Sequence, residues 1–238
     1  MTASVSPDLR EAVWRANQAL VRGGLVRLSF GNASGIDRAA GIMLIKPSGV
    51  AYDALLPEDL VAVGLADGQV VDGNARPSSD SPTHLALYRA YSTIGGIVHT
   101  HSEAATAWAQ ARRPIPPLGT THADHFHGPV PVTRPLAEAE VGSDYEAATG
   151  AVIVETIDGL GLDPAEMPAV LVASHGPFTW GGDALEAADN AIALEIVAAI
   201  AFRTLALDPY AEPMAGYLLE RHFRRKHGPS AYYGQRSG

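Results

Sequence analysis

The chain has 238 residues, a formal charge of −9 and no cysteine. Its 47% hydrophobic and 18% charged content is that of a globular protein, which excludes disorder and collagen-like repeats. The acidic balance argues against nucleic-acid or anionic-membrane partners, though it leaves room for a small basic pocket for a phosphorylated metabolite. The missing cysteines exclude disulfides, thiolate metal sites and cysteine nucleophiles.

A chain of this length buries enough surface to hold a core without crosslinks. Apolar periodicity continues from end to end, so residues 1–238 read as a single domain. The N-terminus has no basic segment followed by an apolar one, as a secretory signal would. The longest apolar run, near Ala191–Phe202, is interrupted by Glu195 and is too short and polar for a bilayer span. A cytoplasmic protein is the expectation.

Ser6-Pro7 resembles a helix start, with Leu9, Val13, Ala16 or Asn17, and Leu20 at helical spacing and Gly23-Gly24 as the stop. Ile42–Lys46 and Leu60–Leu65 read as strands, and Asp67-Gly68 is a hairpin signal into Gln69–Val71. Pro82 opens a helix. Gly96–His101 reads as a buried strand and Pro129–Thr133 as a short one. Glu146–Asp158 is ambiguous between helix and strand. Ala169–Ala173 is a buried strand, Asp183–Leu207 a long helix and Pro213–His227 a last helix. The sum is an α/β layered domain: a central, mainly antiparallel or mixed sheet flanked by helices. No G-x-G-x-x-G motif opens a helix, so a dinucleotide site has no support.

Nine histidines are present. His99 and His101 end the apolar strand, and residues two apart on a strand share a face, so their imidazoles can converge on one cation. His175 closes a second apolar strand. If the two strand ends meet, three neutral imidazoles make an open zinc-type site, with Asp80 available as a carboxylate ligand. Unrelated histidines at strand ends are the plain alternative. Lys46-Pro47-Ser48-Gly49 and Pro77-Ser78-Ser79-Asp80-Ser81-Pro82 offer an ammonium, hydroxyls and a helix N-terminus suited to a phosphate, and Asn32 adds an amide. A turn and a helix cap explain the same residues. Asp124 stands among histidines as a possible acid/base group or as part of a polar surface loop. His222 and Arg225 lie in a basic cluster near the end of the last helix, where they complement its dipole or contact a phosphate.

Several stretches are similar to one family. They are Phe30-Gly31-Asn32-Ala33-Ser34, Ile45-Lys46-Pro47-Ser48-Gly49, Pro77 to His84, Gly96 to Ser102, Gly119 to Asp124, Ser174-His175-Gly176-Pro177-Phe178 and Ala231-Tyr232-Tyr233-Gly234-Gln235. In this order they resemble the L-ribulose-5-phosphate 4-epimerases of the class II aldolase and epimerase superfamily, over nearly the whole chain. The resemblance implies that His99, His101 and His175, with Asp80 near them, bind zinc or manganese. It implies that Asn32, Lys46, Ser48, Gly49, Ser78 and Ser79 hold a sugar phosphate. Asp124 and Tyr233 would be the acid/base pair, Tyr233 coming from a neighbouring subunit. His222, Arg225, Thr120 and Glu146 would lie around the substrate and metal. A homotetramer with active sites at subunit contacts follows from the same resemblance.

The implied reaction interconverts L-ribulose 5-phosphate and D-xylulose 5-phosphate by retro-aldol cleavage of C3–C4 and re-addition to the opposite face. The C4 hydrogen is not α to the C2 carbonyl, so direct deprotonation has no enolate to stabilise it. A Lewis-acidic metal stabilises the enediolate fragment instead. Fuculose-phosphate-type aldolases, the alternative, carry glutamate where this chain has Asp80. The adducin head, a non-catalytic relative, is disfavoured by the three histidines. The chain departs from the family at His125 and His127, where tyrosines are expected.

Overall fold

A computed structural model of the protein describes residues 5–142, 144–227 and 231–232. Seven strands form one sheet: β1 (Asn32–Asp37), β2 (Ile42–Ile45), β3 (Val61–Gly64), β4 (Val70–Asp72), β5 (Gly96–His99), β6 (Ala169–Leu171) and β7 (Pro177–Gly181). Their order is β4-β3-β2-β1-β5-β7-β6, and every neighbouring pair is antiparallel. The helices are α1 (Pro7–Arg22), α2 (Ser81–Ala90), α3 (Glu103–Ala111), α4 (Thr120–Ala123), α5 (Glu138–Val141), α6 (Tyr145–Gly159), α7 (Ala184–Leu207) and α8 (Gly216–His227).

The two-residue alternation of the strands sorts side chains into two layers. On β2, Ile42 and Leu44 join Val13, Leu20 and Ala188 of α1 and α7, whereas Met43 and Ile45 join Leu85, Tyr88 and Ile153 of α2 and α6. A third cluster, with Trp108, Phe126 and Leu194, lies under α3 and α7. Gly95 and Gly96 both permit close backbone approach, and Gly96 is the one that meets the start of α7. A Cβ there would run into the backbone of Asp183 and Ala184, so only glycine lets the start of α7 lie on β5.

The expected elements appear with several differences. The segment read as ambiguous is α6, whose β-branched residues pack toward α2 and whose N-terminus is capped by Asp144, its carboxylate accepting from Ala147 N at 3.1 Å. The strand read over Gly96–His101 ends at His99. The strand read over Ala169–Ala173 ends at Leu171, so His175 lies in the β6–β7 turn rather than at a strand end. Pro129–Thr133 forms only isolated bridges, Val130 with Ile115 and Val132 with Leu171. The last helix starts at Gly216 rather than Pro213.

Five further elements carry no sequence-level expectation: β1, α3, α4, α5 and β7. β1 (Asn-Ala-Ser-Gly-Ile-Asp) lacks apolar alternation yet is the middle strand. Its polar groups are paired instead. Asn17 bonds both Ala33 N (3.0 Å) and Ala33 O (3.2 Å), and Ser34 Oγ lies 2.7 Å from His84 Nδ1 and 2.8 Å from Tyr88 OH.

α7 corrects one expectation. At 24 residues, with a mean hydropathy of 1.7 over its most apolar 18-residue window, it is by length and composition alone apolar enough to cross a membrane. Here it serves the core: Ala184, Ala187, Ala188, Ala191, Leu194 and Ala198 are buried against the sheet and neighbouring helices. Glu195 breaks the apolar run but not the helix, and its carboxylate accepts from two backbone amides of α3.

Candidate active site

The sheet register brings the chemistry to one end. Asn32 of β1 pairs with His99 of β5, and His99 in turn pairs with Phe178 of β7. His101 follows two residues beyond His99, and the β6–β7 turn folds His175 over the same end. The ring centroids of His99, His101 and His175 are 4.7–5.0 Å apart, and one nitrogen from each lies within 4.8 Å of the others.

Each ring is oriented differently. His99 is buried, stacked 4.2 Å from the Phe178 ring, and its Nδ1 donates to Pro177 O at 3.0 Å. That bond leaves the Nε2 lone pair facing inward. His175 Nδ1 lies 3.3 Å from the Tyr145 hydroxyl, while His101 is exposed. His99 Nε2 and His101 Nε2 are 3.0 Å apart. Two ligands of one tetrahedral ion with bonds of about 2.0–2.1 Å stand roughly 3.3 Å apart, so the rings fit a divalent cation. Burial, with the neighbouring imidazoles, holds His99 down at about 4 despite the opposing pull of Asp80, and burial also lowers His175. Neutral rings at neutral pH are the form that ligates a metal.

Asp80 stands outside this three-imidazole cluster but lines the same cavity. Its Oδ2 accepts from Asn32 Nδ2 at 2.7 Å. Burial pushes the carboxyl upward, but His99, His84, the Asn32 bond and His175 outweigh it and hold the group below its usual range. The Asn32 side-chain oxygen, Oδ1, is buried with no hydrogen-bond partner among the described residues.

The cavity measures about 390 Å³. Asn32, Lys46, Ser48, Gly49, Ser78, Ser79, Asp80, His99, His101, Glu146 and His175 all line it, so every residue expected to hold sugar phosphate or metal is there except Thr120, His222 and Arg225. Lys46 is 1% exposed, with Nζ 4.8 Å from the Tyr52 ring centroid and 3.3 Å from Pro47 O. Burial lowers its pKa.

Asp124 is not among the lining residues. It joins His222 and Arg225 in a second cluster between α4 and α8. Its Oδ1 accepts from His222 Nδ1 and Arg225 Nε, both at 3.1 Å, and its Oδ2 from Arg225 at 2.8 Å. Burial alone would raise this carboxyl, yet Arg225 and His222 hold it below the usual range. Thr120 begins α4 and is exposed. Tyr233 lies outside the described residues.

Sequence reasoning missed Tyr145, which lines the cavity and bonds His175. Its only signal is adjacency to Glu146. It also gave no role to Phe178, whose ring backs His99.

Residues 11–202 match the family described as class II aldolase and adducin N-terminal domain. The chain is 52% identical over 228 residues to the L-ribulose-5-phosphate 4-epimerase UlaF of Salmonella paratyphi B, covering 96% of this chain and 99% of that one. The relative of the same description from Salmonella typhi matches equally, at 52% over 96% of this chain and 99% of that one. Among solved structures, an L-fuculose 1-phosphate aldolase superposes with a TM-score of 0.79 at 23% identity, over 94% of this chain and 99% of that one. That likeness concerns the fold. YgbL of Klebsiella pneumoniae superposes with a TM-score of 0.72 at 26% identity, over 93% and 99%.

Proposed function

The chain belongs to the class II aldolase and adducin N-terminal domain family, and from that premise we propose that it is a metal-dependent epimerase of L-ribulose 5-phosphate and D-xylulose 5-phosphate. What carries this reading is one cavity in which three converging imidazoles sit beside a lysine and serine cradle, in a chain 52% identical to a 4-epimerase.

His99, His101 and His175 would hold the cation, zinc or manganese, with Asp80 as the nearby carboxylate. A divalent cation there supplies Lewis-acid stabilisation of negative charge on the ketose oxygens. Ser48, Ser78 and Ser79 bind the phosphate through their hydroxyls, and Gly49 and Ser79 through their backbone N–H groups, with Ser78 and Ser79 standing just ahead of α2. Lys46 adds positive charge from beneath. Asn32 ties Ser78 to Asp80 and offers its free carbonyl to a sugar hydroxyl. Glu146 borders the metal side of the cavity.

The reaction removes the proton of the C4 hydroxyl, breaks C3–C4 and rejoins it on the other face of the C4 aldehyde. Holding the phosphate keeps the two-carbon fragment in place while its carbonyl turns over. Inversion needs proton-transfer groups on both faces, for which we assign Asp124 and Tyr233. His222 and Arg225 orient Asp124 and keep it ionised until it takes part in proton transfer.

Asp124 does not line the cavity of its own chain, which supports a site completed by a second copy, and the family reading makes that assembly a homotetramer. The exposed Ile196, Ile200 and Phe202 on α7 supply apolar surface for such an assembly. A single domain acting in the cytoplasm fits this role in sugar-phosphate metabolism.

The test uses L-ribulose 5-phosphate deuterated at C4. Metal-stripped protein should be inactive. Reconstitution with zinc or manganese should restore D-xylulose 5-phosphate formation with the deuterium retained, since the C4–H bond never breaks. No conversion after reconstitution, or loss of deuterium to water, overturns the reading.

A further inference from the structure

Two of the three clustered imidazoles have an outer partner: Pro177 O for His99 and the Tyr145 hydroxyl for His175. His101 has none. Among the described residues, its ring makes no hydrogen-bond contact except with His99. Such outer partners fix ring orientation at metal sites. His101 is also the exposed member of the three, so packing does little to hold it. Its position therefore depends on the backbone that carries it.

That backbone runs directly into α3, which starts at Glu103. The first amides of a helix have no partner within it. Ser102, at the N-cap, makes no side-chain capping bond. The donors are met from another helix. Glu195 of α7 accepts from Ala104 N at 2.7 Å with one carboxylate oxygen and from Ala105 N at 2.9 Å with the other. A carboxylate favours a helix N-terminus through the dipole as well as through these bonds. Glu195 is also the one charged residue in the otherwise apolar stretch Ala191–Phe202, a costly place for a charge unless it is bonded. His101, Ser102, Glu103 and Glu195 border one cavity of about 400 Å³, so the carboxylate lies close behind the ligand-bearing turn.

We propose that Glu195 is a positioning residue: by clamping the first turn of α3 it sets the backbone after His101 and so aims that imidazole at the cation. The inference rests on reading His99, His101 and His175 as a metal centre. Glu195 does not touch the metal or the substrate.

The test measures zinc affinity by competition with a chromophoric chelator, for wild type, Glu195→Gln and the control Glu103→Gln. It also records the visible spectrum of the cobalt-substituted proteins. Glutamine keeps the size of Glu195 but has one acceptor oxygen, so one α3 amide faces an NH2 group. Glu195 does not bond His101 itself, so we set the expected effect at the lower end of the about 10–100-fold that a direct outer partner is worth. The expected result is at least tenfold weaker zinc binding and an altered cobalt spectrum for Glu195→Gln. Glu103→Gln, which removes the same charge beside His101 without touching the clamp, should match wild type. Should Glu195→Gln fail to fold, Glu195→Asp replaces it, with a shorter reach and the same predicted direction. Wild-type zinc affinity and spectrum in the Glu195 variant overturn the inference, as does an equal loss in the Glu103 control. Wild-type protein that takes up no ion overturns the metal reading, and the inference with it.

Discussion

His84 is fully buried behind the site, with Nδ1 bonded to Ser34 and its other ring nitrogen without a partner among the described residues. Burial, partly offset by Asp80, holds its pKa at about 3 against an ordinary 6.5. Between these values the unfolded chain binds the proton and the folded chain does not, so stability falls as pH drops from about 6.5 toward 3. His84→Gln, able to keep a bond to Ser34, should flatten the acid limb of a plot of Tm against pH. An unchanged slope would assign the acid sensitivity elsewhere. At His99 the expectation is sharper. His99→Ala should lose more metal affinity than the roughly 10–100-fold that an outer partner costs, with the far-UV spectrum retained. Affinity within tenfold of wild type would remove His99 from the ligand set.

The strands explain which parts of the site were readable. His99-Thr100-His101 was picked out by the apolar run that led into it, although β5 ends at His99 and His101 reaches the same place from the segment that follows. His175 required knowing that β6 and β7 form a hairpin beside β5, which no local pattern announces. β1 escaped recognition for a related reason. Ala33 and Ile36 pack into the cores, but the strand's other pairings are polar, Asn17 to the Ala33 backbone and Ser34 to His84 and Tyr88, and binary patterning cannot register those. α6 was ambiguous because Val152, Ile153, Val154 and Ile157 favour strands intrinsically, and packing toward α2 decided otherwise. At this scale Gly96→Ala should drive β5 and α7 apart. Denaturant unfolding should show a loss of about 1–3 kcal/mol, the usual result of overpacking. A neutral substitution would mean that the α7 start can shift freely.

Over the whole molecule, the metal-type cavity and the Asp124–His222–Arg225 cluster are separate constellations in one chain. The sequence resemblance placed all of these residues in one reaction, but geometry within a chain was not legible from it. If a second copy completes the site, chains carrying His99→Asn and chains carrying Asp124→Asn should each be inactive, and co-assembled mixtures should regain part of the wild-type rate. Mixtures that stay as inactive as their parents would mean each chain must supply both groups itself. The central claim is inversion at C4 with both fragments held in the site. Its most direct measurement follows D-xylulose 5-phosphate and free aldehyde together, as metal-loaded protein consumes L-ribulose 5-phosphate. Epimer formed without accumulating aldehyde is the predicted result, and accumulating glycolaldehyde phosphate without the epimer would contradict it by making the protein an aldolase.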